Sequence, residues 1–526
     1  MKGAVLISLF MFDIVYPQLW IRTYDGPADW WDKAYNLCID QNSNIFCTGY
    51  CSVFHNGDTG SLFCTIKYDC NGNQQWVRTC GDSLYDFALA VAADSSGNAY
   101  VTGIVGEMGE NDIMTVKYNP DGDIEWVRKY ASSGEDWGSD IAVDREGNVY
   151  VTGYTYLGSG RHSITIKYNP QGNEEWVAID SVAYWTVSIG LDNAGNIYVA
   201  GDGSPVRYVV MKYTPDGELL WRRGENITGY PFKLAVSPNG DVYVTGSLGV
   251  SSNDVVATVK YNTNGEEQWV RTYDGPGYDR GQTLTIDHDG NCYVAGAIAE
   301  KPGHVINFDF VTIKYSPAGD EMWIRSYTGV GGDDFPFAIG VDAQKNVYVG
   351  GYSMAPRDTV YWGDDYTLLK YDSLGNLQWE ARYCGPDSIS GWIYDLDIDN
   401  EGYIYTTGFV LTGTRTDYDF DWCTIKYPPS GMGIAKPQSP SVPIGQRLRV
   451  YPSPAKTVLT LWLSQSVERI EIFDVSGKLV GQTFLGKNDN GGIGNGWEVK
   501  ISLKGINPGI YFLKVGKEVK KFQVVK

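Results

Sequence analysis

Histidine is nearly absent: His55, His162, His288 and His304 are the four in 526 residues. They are scattered and never fall in a paired spacing such as H-E-x-x-H, so no histidine metal centre or proton relay is legible. Basic residues are also few, 42 Lys+Arg against 63 Asp+Glu. That balance excludes nucleic acid as the expected partner, because a phosphate backbone needs clustered Lys and Arg. No apolar run reaches the ~18 residues of a membrane-spanning helix. There is no G-x-S-x-G elbow and no phosphate-binding Gly-Lys loop, so the common nucleophile and nucleotide signatures are missing. Sustained 3.6-residue periodicity is lacking too, which argues against a helical fold. No cofactor and no resident metal is implied.

Aromatic residues are abundant, with 38 Tyr and 17 Trp, a composition that favours strands. Charge is unevenly divided. Residues 447–526 hold 13 Lys+Arg and 6 Asp+Glu, whereas 1–446 hold 29 and 57. A change of sign on this scale marks separate domains. Residues 1–17 read as an imperfect export signal: Ala4–Phe12 is apolar apart from Ser8 and follows Lys2, but Asp13 interrupts it. Nine cysteines leave at least one unpaired within the chain. Six of them (Cys38, Cys47, Cys51, Cys64, Cys70 and Cys80) fall in one window. Two readings stand for these, local disulfides of an exported protein or small apolar side chains at strand positions.

An internal repeat decides the fold class. Tryptophan returns at 20, 76, 126, 176, 221, 269, 323 and 379, at intervals of 45 to 56 residues. Between them one pattern recurs, shown cleanly by D-I-A-V-D-R-E-G-N-V-Y-V-T-G and then I-T-I-K-Y-N-P-Q-G-N-E-E-W-V. Each unit reads as four short strands, A to D. The A–B turn is D-x-x-G-N and the C–D turn N-P-x-G, where Asp and Asn bond their own backbone and Gly accepts φ > 0. Four strands at this period are the signature of a propeller blade. Eight A-B-C triplets can be counted, and the eighth has no Trp strand after it. The N-terminal Q-L-W-I-R-T-Y-D is a strand D without a triplet, so it is expected to complete blade eight, with Trp20 and Ile21 pairing near Ile425. The fold class is therefore all-β: an eight-bladed β-propeller over 18–430 closed by the N-terminal strand, a linker at 431–446, and a small C-terminal β-sandwich at 447–526.

The repeats, through D-x-x-G-N-x-Y-V-T-G and T-I-K-Y-x-x-x-G-x-x-x-W, resemble the bacterial SBBP β-propeller repeats. The tail, through V-Y-P-S-P-A at 450–455, I-F-D-V-S-G-K-L-V at 472–480 and P-G-I-Y-F-L-K-V at 508–515, resembles the C-terminal sorting domain of type IX secretion. The second resemblance implies the secretion machinery as a partner of 447–526 and an extracellular or outer-surface address. Neither implies a catalytic activity.

In a propeller the A–B and C–D turns share one face, and the D–A and B–C connections share the other. Here the first set is uniform and the second varied, and variable loops on a rigid scaffold are where binding resides. Eight residues before the turn that closes strand A stand Asp32, Asp86, Asp136, Asp279 and Asp334 in five blades, with Tyr184 in blade four. The next position carries Trp137, Trp185, Tyr230 and Trp392 among its six aromatics. Strand A lines the central channel, so this register should ring its mouth. The aspartates either join the aromatics in holding a ligand or brace each blade through backbone bonds, and their recurrence favours bracing. The reading that results is a non-catalytic binding or adhesion module taking a glycan or protein ligand at the variable-loop face. Alternatives are a polysaccharide-degrading enzyme (a glycosidase or lyase) using carboxylates such as Asp279 or Asp334, and a structural envelope component.

Overall fold

The structure is a computed structural model. It describes residues 19–429, apart from short stretches of the connections, and the strands of the tail between 449 and 524. The export-signal segment 1–17 and the linker 431–446 lie outside the described residues. The chain divides into two compact units, 1–434 and 435–526.

The first unit is an eight-bladed β-propeller. Seven blades are consecutive antiparallel four-stranded sheets, and the eighth takes its outer strand from the N-terminus. In chain order the blades start at Lys33, Phe87, Asp136, Ala183, Gly229, Asp279, Asp334 and Gly391. The closing strand Trp20–Tyr24 pairs with strand C of blade 8, Asp417–Tyr427, and Ile21 sits opposite Ile425. The ring is thus closed by hydrogen bonds between the two ends of the repeat array, and no sheet edge is left where the array begins. Among the described residues there is no helix.

The repeat motifs are the parts of a clamp between successive blades. The Trp76 indole N–H donates to the Pro120 carbonyl in the C–D turn of the next blade at 3.1 Å, and Lys67 Nζ reaches the same carbonyl at 2.9 Å. Arg78 Nε adds a bond to the Gly122 carbonyl at 2.7 Å. Trp126, Lys117 and Pro170 repeat the arrangement, as do Trp269, Lys260 and Pro317. Gly122 carries φ +83° with its α-carbon against the Trp76 ring, so a side chain there would collide with the indole. The K-Y, W-x-R and P-x-G elements are therefore structural, and their recurrence follows from the need to join each blade to the next.

The A–B turns are closed by their first residue. Asp144 Oδ1 accepts the backbone N–H of Glu146 at 3.0 Å and of Asn148 at 2.8 Å, and Oδ2 accepts from the Tyr150 hydroxyl at 3.0 Å. D-H-D-G-N at 287–291 is the same turn, with Asp287 accepting from Asp289 and Asn291. Six of the cysteines lie in blades 1 and 2 or their connections, and Cys47, Cys51 and Cys64 are buried among Trp20, Leu37, Ile66, Tyr405 and Trp422 between blades 1 and 8. As placed, these thiols fill apolar positions.

Each A–B pair carries a β-bulge placed as between Gly138 and Asp140 in blade 3, and blade 4 has a second between Ala183 and Trp185. The bulge brings the strand A backbone onto the glycine of V-T-G. A Cβ on Gly153 would lie 1.7 Å from the Trp137 carbonyl oxygen. That close approach explains why all eight blades carry glycine there. A bulge also re-aims side chains, and here it sets the first and third residues of strand A around the channel mouth.

The second unit forms two antiparallel sheets. One holds the three strands Arg449–Tyr451, Val458–Leu463 and Trp497–Ser502, and the other holds the four strands Leu479–Phe484, Arg469–Asp474, Gly509–Val515 and Glu518–Val524.

Candidate binding face at the channel mouth

The five aspartates of the mouth register are fully buried. Asp32 accepts backbone N–H bonds from Gly26 and, at 2.6 Å, from Ser52. Asp279 accepts from Gly275 and, at 3.1 Å, from Ala299. Asp136 accepts from the N–H and, at 2.8 Å, the hydroxyl of Ser132. Asp86 accepts from Gly106 at 3.2 Å, and Asp334 from Gly329 at 2.5 Å. Each carboxylate therefore ties a D–A connection, the far end of strand B or both to the start of strand A. Burial lifts Asp32 to about 7 and Asp279 and Asp334 to about 6, although backbone donors pull the other way. None of the five is presented to solvent, so a solvent-facing acidic ring is not part of the mouth. For Asp279 and Asp334 the same enclosure removes the access to substrate that an acid/base pair requires.

The aromatic members of the register are open to varying degrees. Tyr184 and Tyr230 are 37 % and 38 % exposed. Trp137, Trp185 and Trp392 are half-buried. Trp185 donates its indole N–H to Ser139 Oγ at 2.7 Å and meets Trp137 and Tyr154 edge-on at 6.2 and 5.7 Å. Trp392 stacks on Tyr352 at 4.5 Å and donates to Asp364 Oδ2 at 2.8 Å. It also belongs to an arc running through blades 7, 8, 1 and 2. Along this arc Phe337 meets Tyr394 at 5.4 Å, Tyr394 meets Tyr35 at 5.5 Å, Tyr35 meets Tyr50 at 5.8 Å, and Tyr50 meets Phe87 at 4.9 Å. The arc comes from two places in strand A, its first and third residues, together with the strand B residue beside them. The contribution two residues further on (Tyr35, Phe337 and Tyr394) is absent from the sequence expectation, which follows the mouth-register column and the position after it and goes no deeper.

Two blades have no aromatic at the position that follows the mouth-register residue. They carry Lys33 and Arg280 instead. Lys33 Nζ lies 4.7 and 4.3 Å from the ring centres of Phe409 and Phe420, and Arg280 lies 4.6 Å from that of Phe335. Burial lowers both from their ordinary values. They stand in the same sequence column as the chosen aromatics and were legible there.

Deeper in the channel, four residues before the A–B turn, stand Asn36, Asp140, Lys233 and Asp395. Asn36 Nδ2 donates to Asp395 Oδ2 at 2.5 Å, and its Oδ1 accepts from Val91 N at 2.8 Å. Asp140 accepts from Ile189 N at 3.1 Å and lies 3.5 Å from Lys233 Nζ. This girdle links neighbouring inner strands. Asp140 raises Lys233 above its ordinary value, and burial raises Asp395 to about 6 and Asp397 to about 7. Elsewhere, carboxylate oxygens of Asp25, Asp419 and Asp421 lie within 4.8 Å of one another, a spacing that surface acids reach without an ion.

Residues 125–156 match the family model for a beta-propeller repeat, SBBP, and residues 449–526 match that for a secretion system C-terminal sorting domain. The chain carries SBBP propeller repeats and a type IX sorting domain. Its destination is accordingly the cell surface or the extracellular space. A WD repeat-containing protein of Acanthamoeba polyphaga mimivirus, itself uncharacterized, is 25 % identical over 130 residues. That match spans 19 % of this chain and 9 % of the viral protein. Among solved structures, Sqt1 of Chaetomium thermophilum, bound to the N-terminus of a ribosomal protein, is similar with a TM-score of 0.50 at 11 % identity. It covers 77 % of this chain and 98 % of its own. Virginiamycin B lyase of Staphylococcus aureus gives a TM-score of 0.39 at 11 % identity, over 65 % of this chain and 95 % of its own. These likenesses are of fold.

Proposed function

We propose that the SBBP propeller is a non-catalytic binding module, delivered outside the cell by its sorting tail, which takes its ligand over the channel mouth on the face of the D–A and B–C connections. The observation that carries this reading is the aromatic arc from Phe337 through Tyr394 and Tyr35 to Phe87, with Tyr184 and Tyr230 exposed on the remaining rim. Aromatic faces beside polar groups suit a sugar, whose apolar face stacks while its hydroxyls bond. The opposite face repeats turns whose leading carboxylates are bonded to turn backbone, as at Asp144 and Asp287. The buried, backbone-bonded carboxylates of the mouth register favour binding over hydrolysis.

A glycan and peptide array probed with the full chain tests the reading, together with a depolymerisation assay on the polysaccharides retained. Retention without chain cleavage is the expected result. Release of shortened products would make the protein an enzyme, and an array without retained probes would leave the structural-component reading in its place.

A further inference from the structure

Resting on the binding-face reading above, the further question is what charge the ligand carries. The propeller is strongly acidic, with 29 Lys+Arg against 57 Asp+Glu in 1–446. About half of its cations are spent inside the fold, since the Lys of each K-Y and the Arg of each W-x-R bond carbonyls of the next blade. Three cations on the mouth face are different. Lys33 of blade 1 rests on Phe409 and Phe420. Arg161, which opens strand C of blade 3, lies 4.1 Å from the centre of Tyr154 and 5.8 Å from that of Trp185. Arg280 of blade 6 rests on Phe335. None of the three is held in a close ion pair among the described residues, although Arg161 acts on the nearby Asp202 carboxylate and Arg280 is hydrogen-bonded to Tyr278. The Nε–H groups of Arg161 and Arg280 are buried and donate to no acceptor.

A half-buried cation held chiefly by ring faces is incompletely compensated, because cation–π attraction replaces only part of the lost hydration and leaves some N–H donors without acceptors. Blades 1, 3 and 6 are spaced around the ring by two, three and three blades, so the three cations surround the mouth rather than cluster at one edge. The rings they rest on, among them Phe409, Tyr154 and Phe335, are buried, and the open aromatic faces of the rim are those of Tyr184 and Tyr230. A carboxylated sugar matches both features at once: its ring stacks on an aromatic face, and its carboxylate receives the charged donors of the neighbouring cation.

We infer that the mouth binds an acidic oligosaccharide of the uronic-acid class, with carboxylates on Lys33, Arg161 and Arg280 and sugar rings on the exposed rim aromatics Tyr184 and Tyr230. Selectivity then comes from charge. A neutral oligosaccharide would leave the cations as they are and gain only stacking.

The test is titration calorimetry of the full chain with trigalacturonate and with neutral galactotriose, at low and high salt, on the parent and on Lys33→Gln, Arg161→Gln and Arg280→Gln. The expected result is binding of the acidic trimer that weakens with salt, with a loss of about tenfold or more for each substitution, as for a charge-assisted bond. Melting temperatures should stay near the parent's. Equal or tighter binding of the neutral trimer would overturn the acidic assignment and leave the binding face standing. Acidic binding that all three variants retain would also overturn it, and would move the ligand off this mouth. Binding of neither trimer would overturn it as well, and the array above would then decide whether the face binds anything.

Discussion

The Trp20 indole N–H donates to the Cys70 carbonyl at 3.2 Å, across fifty residues of sequence. It is the bond that Trp76 makes to Pro120 and Trp126 to Pro170, transplanted to the point where the two ends of the array meet. Lys426 Nζ reaches the same Cys70 carbonyl at 2.9 Å, although it lies 356 residues away. The N-terminal strand and the strand it pairs with thus supply, from opposite ends of the propeller, the two donors that blades 1 to 6 each supply from adjacent strands, whereas in blade 7 Lys370 reaches the Pro429 carbonyl and the Trp379 indole N–H has no partner among the described residues.

Deleting residues 1–26 removes this strand and the buried Trp20. The ring then loses a sheet edge and an aromatic side chain that fills the space between blades 8 and 1. Destabilisation of at least ~3 kcal/mol is expected, with self-association through the bared strand Asp417–Tyr427. Thermal melting and sedimentation check it. A truncated chain that melts with the parent and remains monomeric would show that closure lies elsewhere.

The buried aspartates should act on stability and not on recognition. Asp279→Ala strips the acceptor from the N–H groups of Gly275 and Ala299, and an unpaired buried donor costs about 1–3 kcal/mol. The melting temperature should fall while affinity for any ligand of the face, measured below the transition, stays within a few-fold. A selective loss of affinity would return Asp279 to the site.

The exposed aromatics should behave oppositely. Tyr230→Ala is expected to weaken ligand binding by ~1–3 kcal/mol, the usual range for an anchor, with little change in melting. Trp185→Ala should lower both, because its indole also bonds Ser139 and packs on Trp137 and Tyr154. Calorimetry and melting on the two variants separate these outcomes.

The dependence of stability on pH has an uncommon sign. Burial holds Asp32 and Asp397 at about 7 and Asp279, Asp334 and Asp395 at about 6, all above the ordinary 3.8. Between the two values the folded chain keeps protons that the unfolded chain has released, so lowering the pH from 8 towards 5 stabilises the fold. The turn aspartates oppose this at lower pH. Burial of Asp94 is outweighed by bonds from Asn98 and Tyr100, and Asn376 acts likewise on Asp372, so both sit below the ordinary value. Their contribution is present above ~4 and is lost as they protonate. Melting temperature should peak near pH 5. A continuous rise from pH 5 to 8 would contradict the burial of the five.

The propeller was legible because its clamp is written in short, fixed strings. Trp, Lys-Tyr and the turn Gly must recur for blades to join, and a strand D with no triplet at one end matched a triplet with no strand D at the other. The mouth was legible only in part. Trp185 and Tyr230 fell in the register counted back from the turn, and Lys33 and Arg280 stood in the same column but were passed over for their lack of aromatic character. Tyr35, Phe337 and Tyr394 lie two positions beyond that column, and nothing in the repeat marks that depth of strand A as facing the mouth rather than the channel interior. The aspartates were found by their recurrence, and recurrence in a symmetric ring marks a structural need of every blade sooner than a site.

The most direct measurement compares the two faces of the ring on one full-length chain. A labelled panel of acidic and neutral oligosaccharides is titrated against Tyr184→Ala/Tyr230→Ala at the mouth and Asn119→Ala/Glu146→Ala on the turn face. If the propeller binds through its mouth, the first pair loses affinity by tenfold or more at an unchanged fold, and the second pair binds as the parent does. Loss of binding in the turn-face pair, with the mouth pair unaffected, would contradict it.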